Sequence, residues 1–313
     1  MTQQTAAGRK RGFWDDVRKN RTMLLMLAPA VLFFLLFAYV PMAGIVLAFK
    51  QFNYDGGVFG SPWNGLDNFK FFFDSGDAWR VTRNTALYNI AFIVVNNVLQ
   101  IFAAILLFEA AGKWFRKIAQ TIMFLPYFIS WVVVGAIAYN LFNFDVGTIN
   151  MLRQGLGMEP VDIYNTSAYW PFILVAVSAW KTLGYGMVMY LAAITGIDTE
   201  MYEAAEIDGA NIFQRIWKIT LPNLMPTVII LVLLAIGNIF RGDFGMFYNM
   251  VGNNGLLFAS TDVIDTFVFR SLTTSNEIGM SAAAGFYQSV LGFATIMFAN
   301  YAVRKYDKDR ALF

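Results

Sequence analysis

Long apolar runs separated by short polar ones dominate the chain. A helix that crosses the hydrocarbon core of a bilayer needs roughly 20 predominantly apolar residues. Six stretches meet that length: about Thr22 to Phe49, Thr85 to Phe108, Thr121 to Phe142, Pro171 to Ile194, Leu224 to Phe240 and Ala282 to Val303. They predict an all-α integral membrane protein with a transmembrane unit over residues 22–303, a basic segment before it (1–21) and a short tail after it (304–313). Pro29, Pro41 and Pro126 fall inside or near the ends of these runs. Neighbouring helices or hydroxyls can satisfy the carbonyls that proline frees, so kinks are expected there and not breaks. The first run exceeds a signal-peptide core and ends in no small-residue cleavage site, so it is read as a span.

Composition agrees and removes most catalytic classes. Of 313 residues, 58% are hydrophobic, 17% aromatic and 14% charged, against about 25% charged in soluble domains. The chain has no cysteine and no histidine, which excludes thiol chemistry and disulfides and removes the base that titrates near neutral pH. Its net charge of +2 is no footprint for nucleic acid, because the basic residues cluster beside apolar runs. With a cytoplasmic N-terminus, that side receives Arg9, Lys10, Arg11, Arg18, Lys19, Arg21, Lys113, Arg116, Lys117, Arg215, Lys218, Arg304, Lys305, Lys308 and Arg310. The other side receives Lys50, Lys70, Arg80, Arg83, Arg153, Arg241 and Arg270. This asymmetry follows the positive-inside rule and predicts a multi-pass protein with both termini in the cytoplasm.

No carboxylate lies mid-span; Glu109 and Asp243 come nearest to lipid depth. A proton-coupled transporter ordinarily carries such a group on its pathway, so that class is disfavoured. A phosphate-cradling G-x-x-x-x-G-K-[ST] motif is also missing: Gly112-Lys113 is followed by Trp114. If ATP drives this protein, another chain hydrolyses it.

The polar interruption at residues 198–222 carries the most specific signal. Asp198 or Thr199 can cap a short helix whose first turn holds Glu200 and Glu203, carboxylates suited to the positive end of a helix dipole. Gly209 ends it, Asn211 can cap a second helix, and Leu221-Pro222 turns the chain into the fifth span. Ala204, Ala205 and Ala210 are small enough for close approach by a partner, and Glu203 offers it a carboxylate. An ordinary interfacial helix linking two spans is the alternative reading.

The run Tyr202-Glu203-Ala204-Ala205-Glu206-Ile207-Asp208-Gly209-Ala210-Asn211, followed by Phe213-Gln214-Arg215, resembles the EAA signature of the membrane subunits of bacterial ATP-driven importers. Weaker runs extend the resemblance over nearly the whole chain: Trp63-Asn64-Gly65-Leu66-Asp67, Arg83-Asn84-Thr85, Phe124-Leu125-Pro126-Tyr127, Trp180-Lys181, Tyr190-Leu191-Ala192-Ala193 and Asp262-Val263-Ile264-Asp265. They are similar to the six-span permeases of carbohydrate importers, the maltose-permease superfamily, and most to its oligosaccharide and polysaccharide members such as the alginate importer. The resemblance implies the type I ABC importer permease fold with a cytoplasmic EAA coupling helix in the bacterial cell membrane. It implies a second homologous permease, two ATPase subunits that bind ATP and Mg, and an extracellular solute-binding protein. No cofactor or metal is expected in this chain. The coupling residues it implies are Tyr202, Glu203, Ala204, Ala205, Asp208, Gly209, Ala210, Asn211, Phe213 and Arg215.

Candidates for a saccharide path are polar or aromatic residues at membrane depth. Asn89, Asn96 and Gln100 share one face of the second span, with Asn97 beside them. Interhelical hydrogen bonds of about 0.6–2 kcal/mol each explain them equally well. Lys181 sits mid-span, where a charge costs at least about 2.5 kcal/mol. It must meet substrate or water, or else bond a backbone carbonyl. Trp180, Tyr185 and Tyr287 can stack on sugar rings, and Asn238 and Gln288 can bond hydroxyls. Packing and interfacial anchoring are the alternatives for the aromatics. Arg241 and Asp243 can pair with each other or meet substrate or binding protein. Amino-acid or peptide importers share the EAA pattern and remain an alternative, and a membrane-embedded enzyme is a weaker one.

Overall fold

The computed structural model describes residues 19–110 and 112–306. Residues 1–18 of the basic segment and 307–313 of the tail lie outside the described residues. All regular structure among the described residues is helical, apart from one isolated bridge between Lys50 and Trp63.

The first span, α1 (Arg21–Phe49), relaxes into a π turn over Leu35–Tyr39 and a 3-10 stretch over Ala43–Phe49 around Pro41. Helix α2 (Asp67–Asp74) then leads to α3 (Asp77–Glu109), the longest element, with neither proline nor glycine inside it. Helix α4 (Lys113–Phe124) ends in a 3-10 turn, Leu125–Phe128, and α5 (Trp131–Phe142) follows. A short α6 (Thr148–Gly155) leads to α7 (Trp170–Thr195). The polar interruption forms α8 (Thr199–Ile207), and α9 (Ile212–Ile236) is the fifth span, extended at its N-terminus beyond the apolar run. Helices α10 (Phe244–Val251) and α11 (Ile264–Thr273) precede the last span, α12 (Ile278–Tyr306).

Five of the six expected spans are single helices long and apolar enough to cross a bilayer. The third differs from expectation. Residues 113–128 and 131–142 meet at 94°, so Pro126 marks a break and not a kink. Pro126 lacks an N–H, the 3-10 turn uses up the preceding helix, and Ser130 starts α5 anew by accepting from Val133 N.

Helix α7 packs along α3 and forms two cores with it. One joins Tyr88 and Trp170 to Val134, Phe247 and Met250 on α5 and α10. The other joins Ala103, Ala104 and Leu107 to Met187, Tyr190, Ile194 and Leu224 in the half of the bundle that leads to α8. A third core ties Phe72 of α2 and Val81 of α3 to Phe267 of α11 and Ala284 of α12. Small residues allow the closest approaches, as expected where dispersion replaces the hydrophobic drive. A Cβ on Gly184 would meet the Met123 carbonyl, and one on Gly135 the Asn249 backbone. Helix α1 stands apart: every side chain from Arg21 to Ala43 is exposed, and contact with α12 begins in the 3-10 stretch.

Candidate functional site: a polar cleft and a helical knob

The knob formed by the polar interruption begins where Asp198 accepts from Glu200 N at 3.0 Å. Gly209, at φ +74°, ends α8 in a left-handed conformation that suits glycine. Ala210 N reaches back to Ala205 O at 2.9 Å. Asn211 then opens α9 with a reciprocal capping box: Gln214 N donates to Asn211 Oδ1 and Asn211 N to Gln214 Oε1. The hinge between the two helices is thereby fixed by backbone chemistry that the sequence encodes locally.

Glu203, Ala204, Asp208 and Phe213 face outward, whereas Ala205 and Tyr202 turn partly inward. Tyr202 Oη lies 3.0 Å from Thr220 Oγ1, and its ring meets Phe108 at 5.5 Å. Ile207 is 87% exposed, and Phe213 and Trp217 are each 70% exposed. Large apolar side chains left exposed around a polar knob are available to a protein partner. Arg215 points the other way, at 3.5 Å from Glu109 and 3.7 Å from Glu206.

At membrane depth, a cleft of about 370 Å³ lies between α3, α7 and α9. It brings together Asn96, Gln100, Tyr185, Asn238 and Arg241, along with Asn89 and Asn97. Asn96 donates to Ser178 Oγ at 3.2 Å and Gln100 to the Thr182 carbonyl at 3.2 Å. Tyr190 Oη donates to Asn97. Asn96 Oδ1 is buried without a hydrogen-bond partner. Gly186 opens space beside Gln100, since a Cβ there would occupy the position of the glutamine amide.

A second cleft of about 510 Å³ shares Asn238 and Arg241 with the first and adds Asp265, Gln288 and Ser289. Gln288 Nε2 donates to Asp265 Oδ2 and to the Phe240 carbonyl, each at 2.8 Å, and Gly242 N donates to the same carboxylate oxygen at 2.6 Å. Burial pushes the Asp265 carboxyl up, against these hydrogen bonds and the Arg241 charge. Asp243 caps α10 through Met246 N at 3.1 Å. No ion pair joins it to Arg241 among the described residues.

The remaining candidates lie elsewhere. Lys181 is buried behind the cleft, where its ammonium donates to the carbonyls of Pro126 (3.2 Å), Tyr127 (3.0 Å) and Ile129. The Trp131 ring centroid is 5.0 Å away. Its donors are spent on backbone, which corresponds to the carbonyl alternative. Trp180 faces an apolar cleft of about 1000 Å³ outside α3, α4 and α7, beside Phe102 and Phe172. Tyr287 accepts from Thr82 Oγ1 at 3.1 Å and packs edge-on against Phe72 and Phe73. Sequence reasoning missed Asp265, whose acidic position next to a proline-free helix start carried no distinguishing signal. It also missed Asp262, fully buried and held by Arg80 at 3.0 Å and Arg270 at 2.7 Å.

Residues 96–308 match the family described as binding-protein-dependent transport system inner membrane component. The chain is 34% identical to Protein LplB of Bacillus subtilis (strain 168), covering 97% of this chain and 95% of that protein. It is 31% identical to the polygalacturonan/rhamnogalacturonan transport system permease protein YteP of the same organism, covering 93% of this chain and 90% of the relative. Among solved structures, a chain of the bacterial alginate ABC transporter in complex with alginate pentasaccharide-bound periplasmic protein superposes with a TM-score of 0.84. Identity there is 29%, covering 95% of this chain and 98% of the other. Helical architecture, the capped EAA knob and these similarities over almost the full length converge: the chain belongs to the family of binding-protein-dependent transport system inner membrane components.

Proposed function

We propose that this chain is the membrane-spanning permease subunit of an ATP-driven importer of oligosaccharides or polysaccharide fragments. The observation that carries the reading is the cleft of Asn96, Gln100, Tyr185, Asn238 and Arg241, whose amides, phenol and guanidinium match hydroxyl-rich cargo and lie between α3 and the two helices that flank the knob, α7 and α9. The relatives with saccharide substrates in their names support the same cargo class.

The complex contains a second, homologous permease, two ATPase subunits and a solute-binding protein that meets the outer loops. Both termini and the knob face the cytoplasm, in keeping with the distribution of lysine and arginine. ATP and Mg belong to the ATPase chains; this chain supplies conduit and lever. Closure of the ATPases carries the knob around Glu203 to Asn211, and the helices joined to it reorient so that the cleft is exposed alternately to each side.

Uptake by the reconstituted complex, measured with neutral oligosaccharides, uronate oligosaccharides and peptides, tests this reading. Saccharide uptake that needs ATP and the binding protein is expected, and Arg241→Ala should lower it. Uptake of peptides or amino acids with no saccharide uptake would overturn the cargo assignment. A Gly209→Asp variant that assembles yet transports normally would overturn the role of the knob.

A further inference from the structure

One inward-facing ion pair ties the start of α9 beside the knob to the end of α3, a helix that lines the cleft but does not run into the knob. Arg215 leaves the first turn of α9 and places Nη2 3.5 Å from Glu109 Oε2, the last residue of α3. Both side chains are largely covered, at 21% and 15% exposure. Its other carboxylate neighbour, Glu206, is 75% exposed at 3.7 Å. Attraction between charges grows as water is displaced, so the inner pair is the stronger of the two.

The end of α3 is held by more than this pair. Arg116 of α4 donates from Nη2 to the carbonyls of Phe108 and Ala110, both at 2.9 Å. These are the groups a helix C-terminus leaves without internal partners. Phe108 also carries the ring contact to Tyr202. Gln100 lies nine residues before Glu109 on the same uninterrupted helix, about 14 Å along its axis. A helix without proline, glycine or a π bulge has no built-in site to bend, so a push at Glu109 reaches the cleft with little loss.

We propose that the Arg215–Glu109 pair is the linkage through which displacement of the knob moves α3 and its cleft residues. Arg215 is then a positioning residue that acts through Glu109, and it does not serve as a contact with the ATPase. The inference rests on the coupling role assigned above to the knob.

The test uses the complete complex in lipid vesicles with binding protein, oligosaccharide and ATP, and reads saccharide imported per ATP hydrolysed. Glu109→Gln keeps the shape and removes the charge. The ATPase subunits should still co-purify and ATP hydrolysis should persist, while the transport ratio falls about tenfold, within the range of coupling between distant sites. Arg215→Glu alone should do the same, and combined with Glu109→Arg it should recover most of the ratio. An assembled Glu109→Gln complex with the wild-type ratio, or a double variant no better than either single one, overturns the linkage. If the glutamine variant fails to assemble, Arg215→Gln, which removes the other charge of the pair, is measured with the same two outcomes. A normal ratio in Gly209→Asp sinks the coupling role itself; a normal ratio confined to the Glu109 variants sinks only the linkage.

Discussion

Lys181 Nζ stands 3.2 Å from the carbonyl oxygen of Pro126, the residue at which the third apolar run breaks. The two features explain each other. A sharp bend inside a bundle strips carbonyls of their helical donors, and in lipid no water replaces them. An ammonium offers three donors, and here they go to the carbonyls of Pro126, Tyr127 and Ile129. The charge that would be costly at mid-membrane thus holds the break together.

Lys181→Met should therefore destabilise the bundle and leave its cargo preference intact. Each buried carbonyl left unpaired costs about 1–3 kcal/mol. The expected result is a lower melting temperature in detergent and less protein in the membrane, with an unchanged order of preference over a saccharide panel. A normal melting temperature with altered selectivity would contradict this account.

Gly186→Val should block the cleft from within. Its Cβ would occupy the position of the Gln100 amide, and forced repacking of this kind costs about 1–3 kcal/mol. Uptake normalised to membrane content should fall at least about tenfold, the effect of some 1.4 kcal/mol on the transport barrier. Trp180→Val, on the apolar outer cleft, should lower uptake less.

Asp262→Ala should loosen the end of the bundle remote from α8. Its buried carboxylate neutralises Arg80 and Arg270, and its backbone carbonyl accepts from Asn84 at 3.0 Å. Removing one partner from a buried ionic cluster costs about 3–5 kcal/mol. Hydrogen exchange in α11 should accelerate, whereas exchange in α8 should not change.

Asp265 should make stability depend on pH. Burial raises its carboxyl above the ordinary 3.8, so the folded state holds the proton more tightly than the unfolded one. Its contribution is complete below the ordinary value and is lost as pH rises through the folded value. Asp265→Asn keeps an acceptor for Gly242 and removes the titration. As pH rises above the ordinary carboxylate value, the melting temperature of the wild type should fall relative to that of the variant. A constant difference would refute the assignment.

What could be read from the sequence was local. The spans follow from run length, and the knob from Asp198, Gly209 and Asn211, whose capping roles depend on neighbours within a few residues. Pro126 was expected to kink its helix because nothing near it announces the donor, which lies 55 residues further on. Trp180 and Lys181 adjoin in sequence but face different surroundings, and a helix apolar on all sides carries no period to separate them. The pairing of Asp262 with Arg80 spans 182 residues. Such contacts arise only once the helices are assembled.

The bare flank of α1 has a consequence for the lipid around it. At 29 residues the helix is about 44 Å long, some 14 Å more than a hydrocarbon layer of about 30 Å. Among the described residues no neighbour covers it over Arg21 to Ala43. Where no partner subunit covers this segment, bilayer thickness bears directly on it, and it leans or protrudes further in a thin membrane than in a thick one.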